Sequence, residues 1–145
     1  MKEKIWIDCP SCGSKGSMKP KKNLSETYSP EGYTSITIRN LDGQFCKICG
    51  DGFYSLKSEK IIKATMAEEK ARQDSGRTVA SDLIEIETMA SLLSISRQRV
   101  HQMMDEGKIR YVFVGKLRFP VKETTLRSKI INRKEKKKHS LITEL

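Results

Sequence analysis

Four cysteines in two matched pairs constrain this chain more than any other feature. Cys9-Pro-Ser-Cys12-Gly13 and Cys46-Lys-Ile-Cys49-Gly50 share the pattern Cys-x-x-Cys-Gly, with 33 residues between Cys12 and Cys46. Two intervening residues let one tight turn aim both sulfurs at a common tetrahedral ion, and the glycine that follows admits the positive φ such a turn needs. A disulfide framework is not expected in a reducing cytosol. Free core thiols and redox catalysis are the alternatives, but a thioredoxin-like pair wants a βαβ setting that this sequence does not suggest. Zinc is the expected ion, although spacing does not separate it from iron in the same thiolate cage. With Cys9, Cys12, Cys46 and Cys49 all serving as ligands, no position stays open for water or substrate, so the ion is expected to be structural.

The chain around these cysteines is short of apolar runs, and metal ligation is expected to supply much of its folding free energy. With 145 residues and 37% hydrophobic composition, two small domains fit better than one large core. The alternation of Thr34, Ile36 and Ile38 predicts a half-buried strand, Asp42-Gly43 signals a tight turn, and Ser58 offers an N-cap to a helix marked by Ile62 and Met66. Gln73 to Thr78 reads as a joint. The expected division is a zinc-binding domain with its helix over 1–72, a linker over 73–80, a second domain over 81–133 and a basic tail over 134–145. The fold class is α+β, a small four-cysteine β domain followed by an α-rich one.

In the second domain Leu83, Ile84, Met89, Leu92 and Leu93 recur at helical spacing, Ser94-Ile95-Ser96 interrupts, and Val100, Met103 and Met104 resume the pattern. Gly107 fits a helix C′ position, and two short strands flank Gly115-Lys116 as a hairpin before Pro120 and a third helix built on Leu126 and Ile130. The second helix opens with Arg97-Gln98-Arg99, although the macrodipole favours acids there. Such crowding suggests an anionic partner. Arginine matches guanine O6/N7, glutamine matches adenine N6/N7, and helix N-termini accept phosphate, so Ser96, Arg97, Gln98, Arg99, His101 and Gln102 are candidate DNA contacts, with Lys116 and Arg118 on the hairpin. The bland alternative is a solvated basic face.

Charge supports the DNA reading. The formal net charge is +10, and residues 1–57, 58–106 and 107–145 carry +3, −2 and +9, a positive field that recruits nucleic acid more readily than small acidic metabolites. The run Arg-Lys-Glu-Lys-Lys-Lys from Arg133 is expected to attract DNA without reading it. The opening Met-Lys-Glu-Lys-Ile-Trp lacks a signal-peptide core, and no run reaches the ~18 apolar residues of a membrane span, so a cytoplasmic protein without a membrane partner is expected. An enzyme is not expected, because no carboxylate pair, Ser/His arrangement or phosphate-cradling glycine loop stands at meaningful spacing. Trp6 and Met18 are expected to pack beside the cysteine turns, and His139 to be inert.

Residues 1 to about 72 resemble the zinc-binding N-terminal domain of MqsA-family antitoxins, the YgiT-type zinc finger. The cysteine spacing and the run Gly-x-x-Cys-x-x-Cys-Gly from Gly43 to Gly50 carry the likeness. It implies Cys9, Cys12, Cys46 and Cys49 as zinc ligands, an N-terminal domain that holds a cognate toxin, and a C-terminal domain that dimerises, binds operator DNA and represses its own promoter. The second half departs from MqsA itself, whose DNA-binding domain is of the phage-repressor type. It is similar instead to the excisionase or MerR-like winged helix-turn-helix. Ser96, Arg97, Val100, Gly107, Lys108, Arg118 and Pro120 match that pattern, whereas Ile86, Arg99 and Thr124 depart from it.

The expected function is a dimeric, zinc-stabilised, DNA-binding antitoxin and transcriptional autorepressor of a type II toxin-antitoxin system. The alternative is an excisionase-like or metal- or redox-responsive DNA-binding regulator without a toxin.

Overall fold

A computed structural model describes residues 3–122 of the chain. The third helix expected on Leu126 and Ile130, Thr124, the end of the second domain at 133 and the tail over 134–145 with Lys137 and His139 lie outside the described residues. The fold is mixed α and β, with three α-helices and two sheets among the described residues. It divides into two compact units between Met66 and Ala67.

In the first unit, β1 (Met18–Tyr28) pairs antiparallel with β2 (Ile36–Cys46), which pairs with the short β3 (Gly52–Tyr54). Pro30-Glu31-Gly32-Tyr33 turns β1 into β2, with Gly32 at φ 80° and the Tyr33 N–H donating to the Pro30 carbonyl at 3.1 Å. Ile36 and Ile38 are buried as their alternation predicts, and Leu41 joins them because Asn40, at φ 59°, shifts the phase of the strand. These three residues pack against Leu24, Tyr28 and Tyr54 and against Ile61, Ile62 and Met66 of α1 (Leu56–Asp74).

Two local expectations are corrected here. Asp42-Gly43 is no turn, because β2 runs through it to Cys46. Glycine is required for a different reason: a Cβ on Gly43 would stand 2.5 Å from the Phe53 carbonyl oxygen of β3. The helix starts at Leu56 with Ser55 in the capping place, its hydroxyl accepting from the Ser58 N–H at 3.1 Å. Ser58 is instead buried, and its hydroxyl accepts from the Asp42 N–H at 2.7 Å, tying helix to strand.

The second unit takes the last turns of α1, where Ala67 and Ala71 replace the larger residues of the first turns. The segment expected as a joint is fastened to this unit. Ser75 Oγ donates to the Ala71 carbonyl at 2.7 Å and accepts from the Phe113 N–H at 3.2 Å, and Thr78 Oγ1 donates to the Asp74 carbonyl at 3.0 Å. Next come a single 3-10 turn (Ala80–Asp82), α2 (Ile86–Leu93), α3 (Arg97–Asp105) and a hairpin of β4 (Tyr111–Val114) and β5 (Leu117–Pro120). Leu83 and Ile84, expected in the first of these helices, precede it. Leu83 bridges Val121, and the Ile84 N–H donates to the Pro120 carbonyl at 3.1 Å.

Met89, Ala90, Val100, Met104, Ile109 and Tyr111 form the core of this unit together with Ala71. Ser94, at φ 56°, ends α2, and Ile95 donates its N–H to the Ala90 carbonyl at 3.0 Å, so three residues turn the chain from α2 into α3. Gly107, at φ 72°, ends α3 as its spacing predicts.

Candidate metal centre and nucleic-acid interface

Each cysteine pair is a small turn built the same way. The Gly13 N–H donates to the Cys9 carbonyl at 2.9 Å and the Gly50 N–H to the Cys46 carbonyl at 3.0 Å, with φ of 72° and 79° at the two glycines. Within each turn an amide points at the first sulfur: Cys12 N–H to Cys9 Sγ at 3.5 Å, Cys49 N–H to Cys46 Sγ at 3.5 Å. The Lys47 N–H donating to the Ser17 carbonyl at 3.0 Å, and the pairing of Met18 with Cys46, bring the two turns face to face.

The four sulfurs all lie within 4.8 Å of one another. Cys9 Sγ is 3.7 Å from Cys49 Sγ and Cys12 Sγ is 3.8 Å from Cys46 Sγ. A tetrahedron with metal–sulfur bonds of about 2.3 Å has edges of about 3.8 Å, so this donor set fits a four-coordinate thiophilic ion. Left to themselves the sulfurs are in conflict. Cys46 is drawn down to about 6, first by the Ser17 hydroxyl and then by the Cys49 amide. At Cys49 the Asp51 amide pulls downward, yet burial and the other three sulfurs push the thiol up to about 12. A divalent cation removes that conflict by giving all four thiolates one counter-charge. Trp6 and Phe53 pack on Cys9, Met18 and Cys46, with their rings edge to face at 6.1 Å.

The arrangement missed by spacing alone is the polar surround. Ser17 is fully buried with Oγ 3.3 Å from Cys46 Sγ, Ser14 Oγ stands 3.1 Å from Cys12 Sγ, and the Ser11 hydroxyl donates to Asp51 across the two turns. Serines two and five residues after Cys12 are the available signal.

On the second unit, Ser96 caps α3 by accepting from the Arg99 N–H at 3.1 Å. Arg97, Gln98 and Gln102 are exposed, Arg99 and His101 are half-buried, and Val100 and Met104 face the core. Every arginine of this edge has an acidic neighbour. Arg97 Nη2 is 3.0 Å from Glu87 Oε1, Arg99 Nη1 is 3.1 Å from Glu106 Oε1, and Arg118 Nη1 is 2.7 Å from Asp105 Oδ1. The first pair leaves 68% of the Arg97 side chain and 56% of that of Glu87 in solvent, so a competing ligand opens it for about 0–1 kcal/mol.

Arg118 is held differently. Besides Asp105 it meets His101 Nδ1 at 3.1 Å and lies over the Tyr111 ring at 5.4 Å, with only 29% of its side chain exposed. Lys116 is exposed in the hairpin turn. Lys108 Nζ pairs with Glu106 Oε2 at 2.6 Å, and with Arg99 it holds that carboxyl below the usual range.

The model of one protein family, described as the antitoxin component of bacterial toxin-antitoxin system, MqsA, matches residues 7–134. The chain belongs to the MqsA antitoxin family. The match runs through both units of this family member, whereas the sequence resemblance stops at about residue 72. No curated protein and no solved structure matched it. No helix among the described residues is long and apolar enough to cross a membrane.

Proposed function

We propose that the chain is the DNA-binding antitoxin of a type II toxin-antitoxin pair and represses its own operon. In this reading zinc fills the four-thiolate cage as a structural ion, and the first unit with α1 holds the toxin. The second unit acts as a winged helix-turn-helix, α3 entering the major groove and the β4–β5 hairpin resting on the backbone. One observation carries the DNA reading: a capped helix N-terminus that follows a three-residue turn and presents Arg97 and Gln98 to solvent with Arg99 half-exposed beside them. Ser96 and the helix dipole suit a phosphate, Arg97 and Arg99 suit guanine edges, and Gln98, His101 and Gln102 extend the same surface. Lys116 and Arg118 belong to the hairpin side of this surface. In a cytoplasmic dimer, two copies of α3 would stand one turn of DNA apart, ~34 Å, on an inverted repeat. Family membership favours this reading over an excisionase-like or metal- or redox-sensing regulator, neither of which needs a toxin.

The test is fluorescence anisotropy of the full chain on duplex from upstream of its own reading frame. Arg97→Ala is expected to weaken specific binding by ~1–3 kcal/mol, and unchanged affinity removes α3 from the interface. For the toxin, the neighbouring reading frame is expressed alone and with this chain. A frame that is harmless alone refutes the antitoxin assignment while leaving the DNA assignment standing.

A further inference from the structure

The charges of α3 run against its dipole. Arg97 and Arg99 occupy the first turn, where no acid is present, and Asp105 with the C-cap Glu106 occupy the end, where no base is present. A helix macrodipole favours the opposite placement at both ends. Helix stability therefore does not explain Asp105 and Glu106, and it accounts for Glu87, in the first turn of α2, without accounting for its partner; what these acids touch offers another explanation. Glu87 reaches from the first turn of α2 to Arg97, and Glu106 reaches back to Arg99, whose Nη1 also donates to Gln102 Oε1 at 3.3 Å.

A guanidinium carries five donors, and with Nη2 3.0 Å from Glu87 Oε1 the Arg97 side chain still leaves 68% of its surface in solvent. The pair is close to neutral overall, and the exposed remainder of the guanidinium has donors to spare. A DNA phosphate is an anion, so it gains little from a neutral pair and is repelled by the carboxylate beside it. The edge of a guanine is uncharged and presents two acceptors, O6 and N7, which the remaining donors can satisfy without displacing the carboxylate. Pairing thus removes the part of arginine binding that is blind to sequence and spares the part that reads it.

Resting on the DNA-binding reading above, we propose that Glu87, with Glu106 in a supporting role, is a specificity-determining residue that suppresses nonspecific attachment of the α3 edge to DNA. Neither acid is a base contact in this scheme, and both act through the arginine they neighbour.

The experiment compares the full chain with Glu87→Gln, Glu106→Gln and Glu87→Asp on two duplexes of equal length, its own promoter region and a scrambled sequence, across a salt series. Glu87→Gln is expected to bind the scrambled duplex about 2- to 5-fold more tightly, and to steepen its salt dependence by up to about 0.9 in log–log slope, the value for one more neutralised phosphate. Promoter binding changes less, so discrimination falls. Glu106→Gln moves the same way, because Arg99 and Lys108 both lose that carboxylate. Glu87→Asp, which keeps the charge, retains wild-type discrimination. Circular dichroism spectra are expected to be unchanged, and the melting midpoint of Glu87→Gln to fall only slightly, since an acid in the first turn of α2 adds little to helix stability. The proposal is overturned if Glu87→Gln leaves scrambled binding and its slope unchanged, or if promoter affinity falls at least as far as scrambled affinity rises. If the wild-type chain itself prefers neither duplex, it is the DNA-binding reading that fails, and this assignment with it.

Discussion

Cys9 Sγ and Cys49 Sγ stand 3.7 Å apart although 40 positions separate them in sequence. Two turns set side by side where the start of β1 pairs with the end of β2 need something to hold them, and the apolar cluster beside them among the described residues is small, Trp6, Met18 and Phe53. Ligation of a structural zinc is worth roughly 10–16 kcal/mol in small zinc domains at neutral pH, more than such a cluster supplies. Cys12→Ser or Cys46→Ser is expected to unfold the first unit. Elemental analysis is expected to give one zinc per wild-type chain, and iron in its place would correct the identity of the ion. Trp6, the one tryptophan of the chain, reports the loss through its emission.

Acid is expected to release the metal. Coordination lowers the proton affinity of the thiols, so its contribution is present at neutral and alkaline pH and is lost as pH falls and protons compete for sulfur. A titration from pH 8 to pH 5 with a zinc indicator is expected to show release accompanied by the change in Trp6 emission. An emission change with no metal released would detach Trp6 from the cage.

Gly43→Ala tests the sheet. The new methyl would lie 2.5 Å from the Phe53 carbonyl oxygen and 2.7 Å from Phe45 Cε2, and backbone on the neighbouring strand yields little. Overpacking of this kind costs about 1–3 kcal/mol, read as a lower urea midpoint. Wild-type stability would show that β3 is free to move away.

This same glycine shows where sequence reading stops. Asp42-Gly43 looks like a turn because the dipeptide favours one locally, but here the glycine answers to a strand that arrives from eleven positions later. β1 is illegible for a related reason: its residues are mostly exposed, and its register breaks between Lys21 and Leu24, so no alternation survives. Leu83 and Ile84 mimic a helical spacing but are fixed by Val121 and Pro120. What is legible is local. Both cysteine turns, the break at Ser94–Ser96, the end of α3 at Gly107 and the Gly115-Lys116 hairpin each depend on a few adjacent residues. The acids facing Arg97, Arg99 and Arg118 come from the tertiary fold or the far end of a helix, and composition cannot assign them.

Arg110→Ala probes the second unit. Asp74 is buried, with 5% of its side chain exposed, and its Oδ2 accepts from Arg110 Nε at 3.0 Å. Removing a charged donor from a buried carboxylate costs about 1.5–3 kcal/mol, and the other interactions of Asp74 place the expected loss toward the lower end. The thermal midpoint is expected to fall while metal content stays at the wild-type value. An unchanged midpoint would mean that solvent replaces the arginine at no cost.

Arg118→Lys separates bracing from DNA contact. If Arg118 serves only as a positive charge for phosphate, lysine preserves that charge, and both stability and binding remain as they were. The structure gives it more to do, since one planar guanidinium meets Asp105, His101 Nδ1 and the face of Tyr111 together. A lysine ammonium has neither the rigid planar fork that holds Asp105 and His101 in place nor a plane to stack on Tyr111. The substitution is therefore expected to lower the stability of the second unit by about 1 kcal/mol. It should also weaken promoter and scrambled duplex alike, because the hairpin is no longer fixed to α3. Loss of promoter binding alone, with the melt unchanged, would make Arg118 a reader of DNA rather than a brace.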